Sequence, residues 1–178
     1  MQRYAAFLRG INLGRRRVKM DVLKAAFEDL GLTGVATYIA SGNVIFDHAR
    51  TRSSTLEARI EAHLEPALGF ATATFVRSLD ELEPLAGLEH VKAARGDGFN
   101  VHVIFLRLAV GKDVVSRLGA LEGPDDRFHV SGREVLWLRR GRTTDSPIKD
   151  RDLHRAIGGA VTTMRNISTV EQIVAKFR

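Results

Sequence analysis

IASGNVIF at residues 39–46 and HVSGREVL at 129–136 place the same Ser-Gly bend ahead of the same kind of apolar strand, 90 residues apart. Other segments recur around them in the same order. AFLRG at 6–10 returns as IFLRL at 104–108, and ALGFATATF at 67–75 returns as AIGGAVTTM at 156–164, at offsets of 98 and 89 residues. Self-similarity that keeps its order along a whole chain marks an internal duplication. One shortened first helix in the second copy accounts for the drift in offset.

Hydrophobic periodicity gives each copy its elements. Residues 4–8 read as a strand, 20–30 as an amphipathic helix ended by Gly31, and 35–39 and 44–46 as two further strands. Leu56, Ile60, Leu64 and Leu68 fall on one helical face closed by Gly69, and 71–76 make a fourth strand. The second copy repeats the order with strands at 101–108, 127–130, 135–138 and 161–164 and helices at 113–121 and 150–157. The expected fold is therefore α+β: two tandem ferredoxin-like (βαββαβ) subdomains, at 1–88 and 97–178. An extra helix follows each. SLDE at 78–81 and STVE at 168–171 have the Ser-x-x-Glu spacing of a capping box, in which serine and glutamate satisfy free amides of a starting helix. GLEHVKAARGDG at 87–98, polar and glycine-bearing, reads as the join.

This topology has a local consequence. Strands one and two run parallel and strand three runs against them, so the end of strand one meets the bend between strands two and three. RGINLG at 9–14 and ASGN at 40–43 are expected to be neighbours.

Charge points to the same place. The chain of 178 residues carries a formal net charge of +6, and Arg3, Arg9, Arg15, Arg16, Arg17 and Lys19 all precede the first acid, Asp21. The remainder is balanced, so the basicity belongs to one end and suits an anionic partner there. Gly10, Gly14 and Gly42 allow backbone conformations that expose amides to a close ligand. Asn12, Ser41 and Asn43 add neutral hydrogen-bonding groups. Lys19 lies at the start of a helix, whose unpaired amides attract anions. Arg9, Gly10, Asn12, Gly14, Arg15, Arg16, Arg17, Lys19, Ser41, Gly42 and Asn43 are thus the candidate ligand-binding residues, and a phosphate group or nucleic acid the candidate partner. The plainer reading is that the glycines shape turns and the arginines are solvated. Arg165 and Asn166, ahead of the last helix, form either a second anion cradle or a brace between the copies.

Much chemistry has no anchor. The chain has no cysteine, which excludes disulfides, thiolate nucleophiles and cysteine-based metal sites. The histidines, His48, His63, His90, His102, His129 and His154, show no metal-ligand spacing, so neither a metal nor a cofactor is expected. There is no G-x-S-x-G, no G-x-x-x-x-G-K-[ST] and no G-x-G-x-x-G. Asp125 and Asp126 after Gly123-Pro124 read as a turn. The RNP1 pattern of RNA-recognition modules is absent, and strands apolar at successive positions point to sheets covered on both faces. Tyr38 and Trp137 could stack on a ligand, with core packing the plainer reading of each. No apolar run nears the roughly 20 residues of a membrane span and no secretory signal is evident, so no membrane partner is expected and the cytoplasm is the expected location.

YAAFLRGINLG, the following VKM, TYIASGNVIF and the late TTMRNISTV together resemble the domain-of-unknown-function 1697 family, whose members read approximately RGINVGG, KM, TYIQSGNVVF and TTRNWNTV. The resemblance runs from end to end and implies a bacterial-type protein of two ferredoxin-like subdomains. It implies no established activity. By position, the family's marked residues are Arg9, Gly10, Asn12, Gly14, Lys19, Met20, Ser41, Gly42, Asn43, Arg165, Asn166 and Thr169. Ile167 stands where the family has tryptophan and Ser168 where it has asparagine; a base-stacking role for that aromatic would be lost here. Three functions fit: a binder of a phosphorylated ligand or nucleic acid, an enzyme acting on a phosphorylated or carboxylated small molecule, and a structural protein. The enzyme reading lacks a general base near the loop.

Overall fold

The computed structural model describes residues 1–14 and 17–178, Ala86 by its backbone only. In chain order the elements are β1 (Gln2–Leu8), α1 (Met20–Asp29), β2 (Thr33–Tyr38), β3 (Asn43–His48), α2 (Ser53–Leu68), β4 (Thr74–Ser78), α3 (Leu79–Gly87), α4 (Glu89–Gly96), β5 (Phe99–Phe105), α5 (Lys112–Gly119), β6 (Asp126–Ser131), β7 (Glu134–Arg140), α6 (Asp150–Ala156), β8 (Thr163–Asn166) and α7 (Ile167–Phe177). Two four-stranded antiparallel sheets result, ordered β2-β3-β1-β4 and β6-β7-β5-β8. The chain divides into one unit of 1–83 with 172–178 and another of 84–171.

In the first unit the alternation of β1 sends Tyr4, Ala6 and Leu8 into a core with Val44, Phe46 and Val76, closed by Leu23 and Phe27 of α1 and Leu56, Ile60 and Leu64 of α2. The residues between them, Ala5, Phe7, Ile45 and Phe75, are equally buried, so β1, β3 and β4 are covered on both faces there, whereas the edge strand β2 is largely exposed or half-buried. In the second unit Ile104, Leu106, Val135 and Trp137 pack with Val114 and Leu118 of α5 and Ala156 and Ile157 at the end of α6. Trp137 is a core residue, and its indole N–H donates to Asp126 at 2.8 Å.

Asp126 corrects the reading of a simple turn. It is buried in β6, and its carboxylate accepts from Arg139 Nη1 at 2.7 Å and from the Ser146 hydroxyl at 3.1 and 3.2 Å besides the indole. A buried charge persists where it is paired and hydrogen-bonded.

Two boundaries differ for local reasons, and one capping box forms as expected. The stretch read as a polar join is largely α4, whose Val91 and Ala94, three apart on one face, are buried. The first capping box forms, Ser78 N–H donating to Glu81 Oε2 at 2.8 Å and Glu81 N–H to Ser78 Oγ at 3.3 Å. The second does not: α7 starts at Ile167, and Asn166 Oδ1 accepts from Ser168 N at 2.9 Å and Ser168 Oγ at 2.7 Å. Asparagine is as good a cap as serine, and here it stands two residues earlier.

The far end of β1 carries an ion pair of its own. Arg3 Nε and Nη2 donate to the two oxygens of Asp47 at 2.8 and 2.7 Å, and Nη1 donates to the Phe177 carbonyl at 2.9 Å. A Cβ on Gly34, at φ 59°, would lie 2.3 Å from Asp47 Oδ2, so the close carboxylate requires glycine there. Hydrogen bonding from Arg3 holds Asp47 below its ordinary carboxylate pKa. The contribution is therefore present above the unfolded pKa and is lost as pH falls through the lowered folded value. Because the Arg3 side chain is 40% exposed, Asp47→Asn is expected to cost about 1 kcal/mol or less at neutral pH. Thermal melts should show the gap between wild type and variant narrowing as pH falls below the ordinary carboxylate range; a gap that stays undiminished on acidification would refute the assignment.

Candidate anion-binding rim

The loop after β1 and the bend between β2 and β3 do meet. Leu8 N–H donates to Gly42 O at 2.8 Å, and Asn12 Nδ2 donates to Ala40 O at 2.9 Å. Asn12 also closes the loop on itself: its Oδ1 accepts from Val18 N at 2.7 Å and its Nδ2 reaches Val18 O at 3.3 Å. The side-chain amide thereby acts as a short strand partner to Val18 and delivers the chain into α1. Ile11, buried at 2% exposure, packs under Gly42, where an added Cβ would lie 2.5 Å from Ile11 Cγ2.

The candidate residues thus separate into scaffold and surface. Asn12 is committed to the clasp, Gly42 is buried, and Asn43 is fully buried with Nδ2 donating to Tyr38 O at 3.0 Å and Ser41 Oγ at 2.9 Å. Gly10 and Gly14 sit at φ 64° and 61°, turn conformations that favour glycine. Arg9, Arg17, Lys19 and Ser41 are exposed. The backbone of Arg9 is fixed by Ala73 O and Thr72 Oγ1, both at 2.8 Å, and Arg17 Nη1 donates to Gly14 O at 3.0 Å. Arg15 and Arg16 lie outside the described residues.

Lys19 is the N-cap of α1 and no side chain caps that end. Within the first turn, Asp21 Oδ1 accepts from Val22 N–H at 2.9 Å, so this acid takes one of the free amides and offsets part of the positive end of the helix dipole. The bend carries strain as well. Ile39 holds φ 49°, in a region that β-branched residues rarely occupy, and is 52% exposed.

Arg165 and Asn166 belong to the other unit. Arg165 Nη1 donates to Thr163 Oγ1 at 2.9 Å and Met164 O at 2.8 Å, and burial pushes its pKa down to about 10. Asn166 caps α7. Ile167 is 1% exposed, so the position that is tryptophan in the resembled motif is a core position here, unsuited to stacking on a base. Tyr38 is half-buried: its hydroxyl donates to Gln172 Oε1 at 2.8 Å and its ring meets Phe177 edge-on. His102 and His90 are both kept below the ordinary histidine pKa by burial, His90 further by neighbouring His129. Among the described residues no group of three or more acids or histidines could hold a metal ion.

The family model described as "Protein of unknown function (DUF1697)" matches residues 1–136. The chain belongs to that family. The DUF1697 match contains the whole rim and ends before Arg165 and Asn166. The chain is also similar to a solved structure, the conserved bacterial protein SP0830 from Streptococcus pneumoniae. Identity is 25% and the TM-score 0.77, over 98% of this chain and 97% of that one. No protein of curated function matches the chain. Among the described residues no helix is long and apolar enough to cross a membrane.

Proposed function

We propose that this DUF1697 member binds a phosphate-bearing ligand, a nucleotide or a nucleic-acid backbone, at the rim formed by residues 9–14, 17–19 and the Ser41 bend. The observation that carries the reading is the convergence of exposed Arg9, Arg17 and Lys19 at the start of α1, where Lys19 as N-cap offers no side-chain cap, with the loop held against the bend by the Asn12 clasp. Helix amides and dipole favour one phosphate oxygen cluster, and the guanidinium groups supply attraction at longer range. Strain at Ile39 supports the same reading, since unfavourable backbone conformations concentrate where a ligand is clamped. We read the chain as two ferredoxin-like subdomains, at 1–88 and 97–178, because the strand orders and the βαββαβ sequence of elements accord with that arrangement. A cytoplasmic location accords with a cysteine-free chain.

The test is fluorescence anisotropy with a labelled single-stranded oligonucleotide over a range of salt concentrations. Binding should weaken steeply with salt. Replacing Arg15, Arg16 and Arg17 together by alanine should reduce the slope of log K against log salt by about 2, near 0.7 for each phosphate no longer neutralised. An unchanged slope in the triple variant would count against the rim.

A further inference from the structure

At the opposite end of β1 from the rim, the first unit contains a cleft of about 630 Å³ whose lining includes Arg3, Asp47, Arg50, Leu79, Asp80 and Phe177. That volume lies within the roughly 300–1,000 Å³ usual for small-molecule sites. Its wall is preorganised. Arg3 commits donors to both oxygens of Asp47 and to the Phe177 carbonyl, so these three residues fix one another, and the charges of Arg3 and Asp47 cancel. Leu79, nearly buried, and half-buried Phe177 give the cleft an apolar surface.

Two side-chain charges of opposite sign remain, beside the Met1 ammonium that acts on Asp47. Among the described residues neither Arg50 nor Asp80 takes part in an ion pair, although Arg3 is paired with Asp47 and Arg178 with Glu83. Both stand on rigid supports. The turn bearing Arg50 is pinned on its far side, where Thr51 N–H donates to the Tyr4 hydroxyl at 3.0 Å and Thr51 Oγ1 to Ala49 O at 2.9 Å. Asp80 lies in the first turn of α3, which the Ser78–Glu81 capping box holds. Charged groups on well-supported elements flanking an apolar cleft are the arrangement of a binding site.

We propose that this cleft binds a small zwitterion, a carboxylate and an ammonium group carried on an apolar body, as in an apolar amino acid or short peptide. Arg50 receives the carboxylate, Asp80 the ammonium, and Leu79 and Phe177 the body. A guanidinium suits a carboxylate because its planar donors match the two oxygens. The proposal is independent of the anion-binding rim.

Amide NMR on the full chain tests it with phenylalanine, N-acetylphenylalanine, phenethylamine and inorganic phosphate as probes. Phenylalanine should shift the amides of Arg50, Thr51, Asp80 and Glu81, and each probe lacking one charge should bind about tenfold more weakly. Arg50→Gln should erase the difference between phenylalanine and phenethylamine, and Asp80→Asn that between phenylalanine and N-acetylphenylalanine. Both positions are exposed, so folding should survive, with thermal melts as the check. The proposal is overturned if those amides stay still, if phosphate shifts them as well as phenylalanine does, if either variant discriminates as wild type does, or if shifts are confined to Gly10–Gly14.

Discussion

Replacing Arg77 by methionine is expected to destabilise the first unit by about 3–5 kcal/mol, the usual cost of removing one partner from a buried ion pair. Arg77 and Glu57 are 1% and 2% exposed, with Arg77 Nη1 and Glu57 Oε1 3.7 Å apart. Glu57 Oε1 also accepts from Val76 N–H at 2.9 Å, and Arg77 Nη1 donates to Val76 O at 2.9 Å, so the pair stitches α2 to the edge strand β4 through both side chains and backbone. Losing the guanidinium leaves a carboxylate out of water. Urea unfolding should show the loss as a lowered midpoint with a similar slope. The double variant Arg77→Met, Glu57→Leu should recover most of it, because matched apolar replacement of a buried pair is often neutral. A single variant within about 0.5 kcal/mol of wild type, the span of ordinary surface changes, would show that the charge is not held in the interior.

Arg77 also shows where sequence reading stopped. It lies opposite Ala5 on β1 as Arg165 lies opposite Val103 on β5, and each donates Nη1 to the carbonyl of the residue before it. Ser78 and Asn166 follow as caps of α3 and α7. The two arginines are therefore the same position in the two units, yet the echo of ALGFATATF in AIGGAVTTM runs one residue out of step with the strand pairing and hides them. The Ser-Gly echo slips in the same way. Tyr38 pairs with Asn43 across a four-residue bend, whereas Ser131 pairs with Glu134 across Gly132-Arg133, a two-residue turn opening on glycine at φ 61°. Small residues recur readily in letters, but register is fixed by turn length and hydrogen bonds.

What periodicity carried was the apolar frame: Leu56, Ile60 and Leu64 are the buried face of α2 as their spacing of four requires, and Gly69 ends that helix at φ 77°. Buried polar residues were the blind spot. Asn43 reads as a ligand-binding group, Asp126 as a turn, and nothing singles out Arg77, because burial of a polar side chain depends on partners distant in sequence, which no local pattern records. Arg50 and Asp80 are single charges without a motif, and only the fold brings them to one cleft. The rim fared better, since the parallel relation of β1 and β2 was enough to bring 9–14 and 40–43 together.

That junction supplies the second large effect. Gly42→Ala should cost about 2–5 kcal/mol, combining roughly 1–2 kcal/mol for a left-handed conformation with about 1–3 kcal/mol for overpacking. Gly42 sits at φ 76°, and a Cβ there would lie 2.5 Å from Ile11 Cγ2 and 3.3 Å from Leu8 Cβ. Neither neighbour can withdraw, since Ile11 and Leu8 are both core residues. Gly14→Ala provides the contrast: at φ 61° its Cβ would meet nothing within 4 Å, so only the conformational cost should remain. Thermal melts should rank Gly42→Ala well below Gly14→Ala, and equal losses would mean that the loop is not seated against the bend. Because the Leu8–Gly42 and Asn12–Ala40 bonds hold the rim closed, oligonucleotide affinity should fall in Gly42→Ala even at temperatures where the variant remains folded. The cationic side chains are untouched by the change, so a loss of affinity there traces to the spacing of the loop from the bend and not to charge.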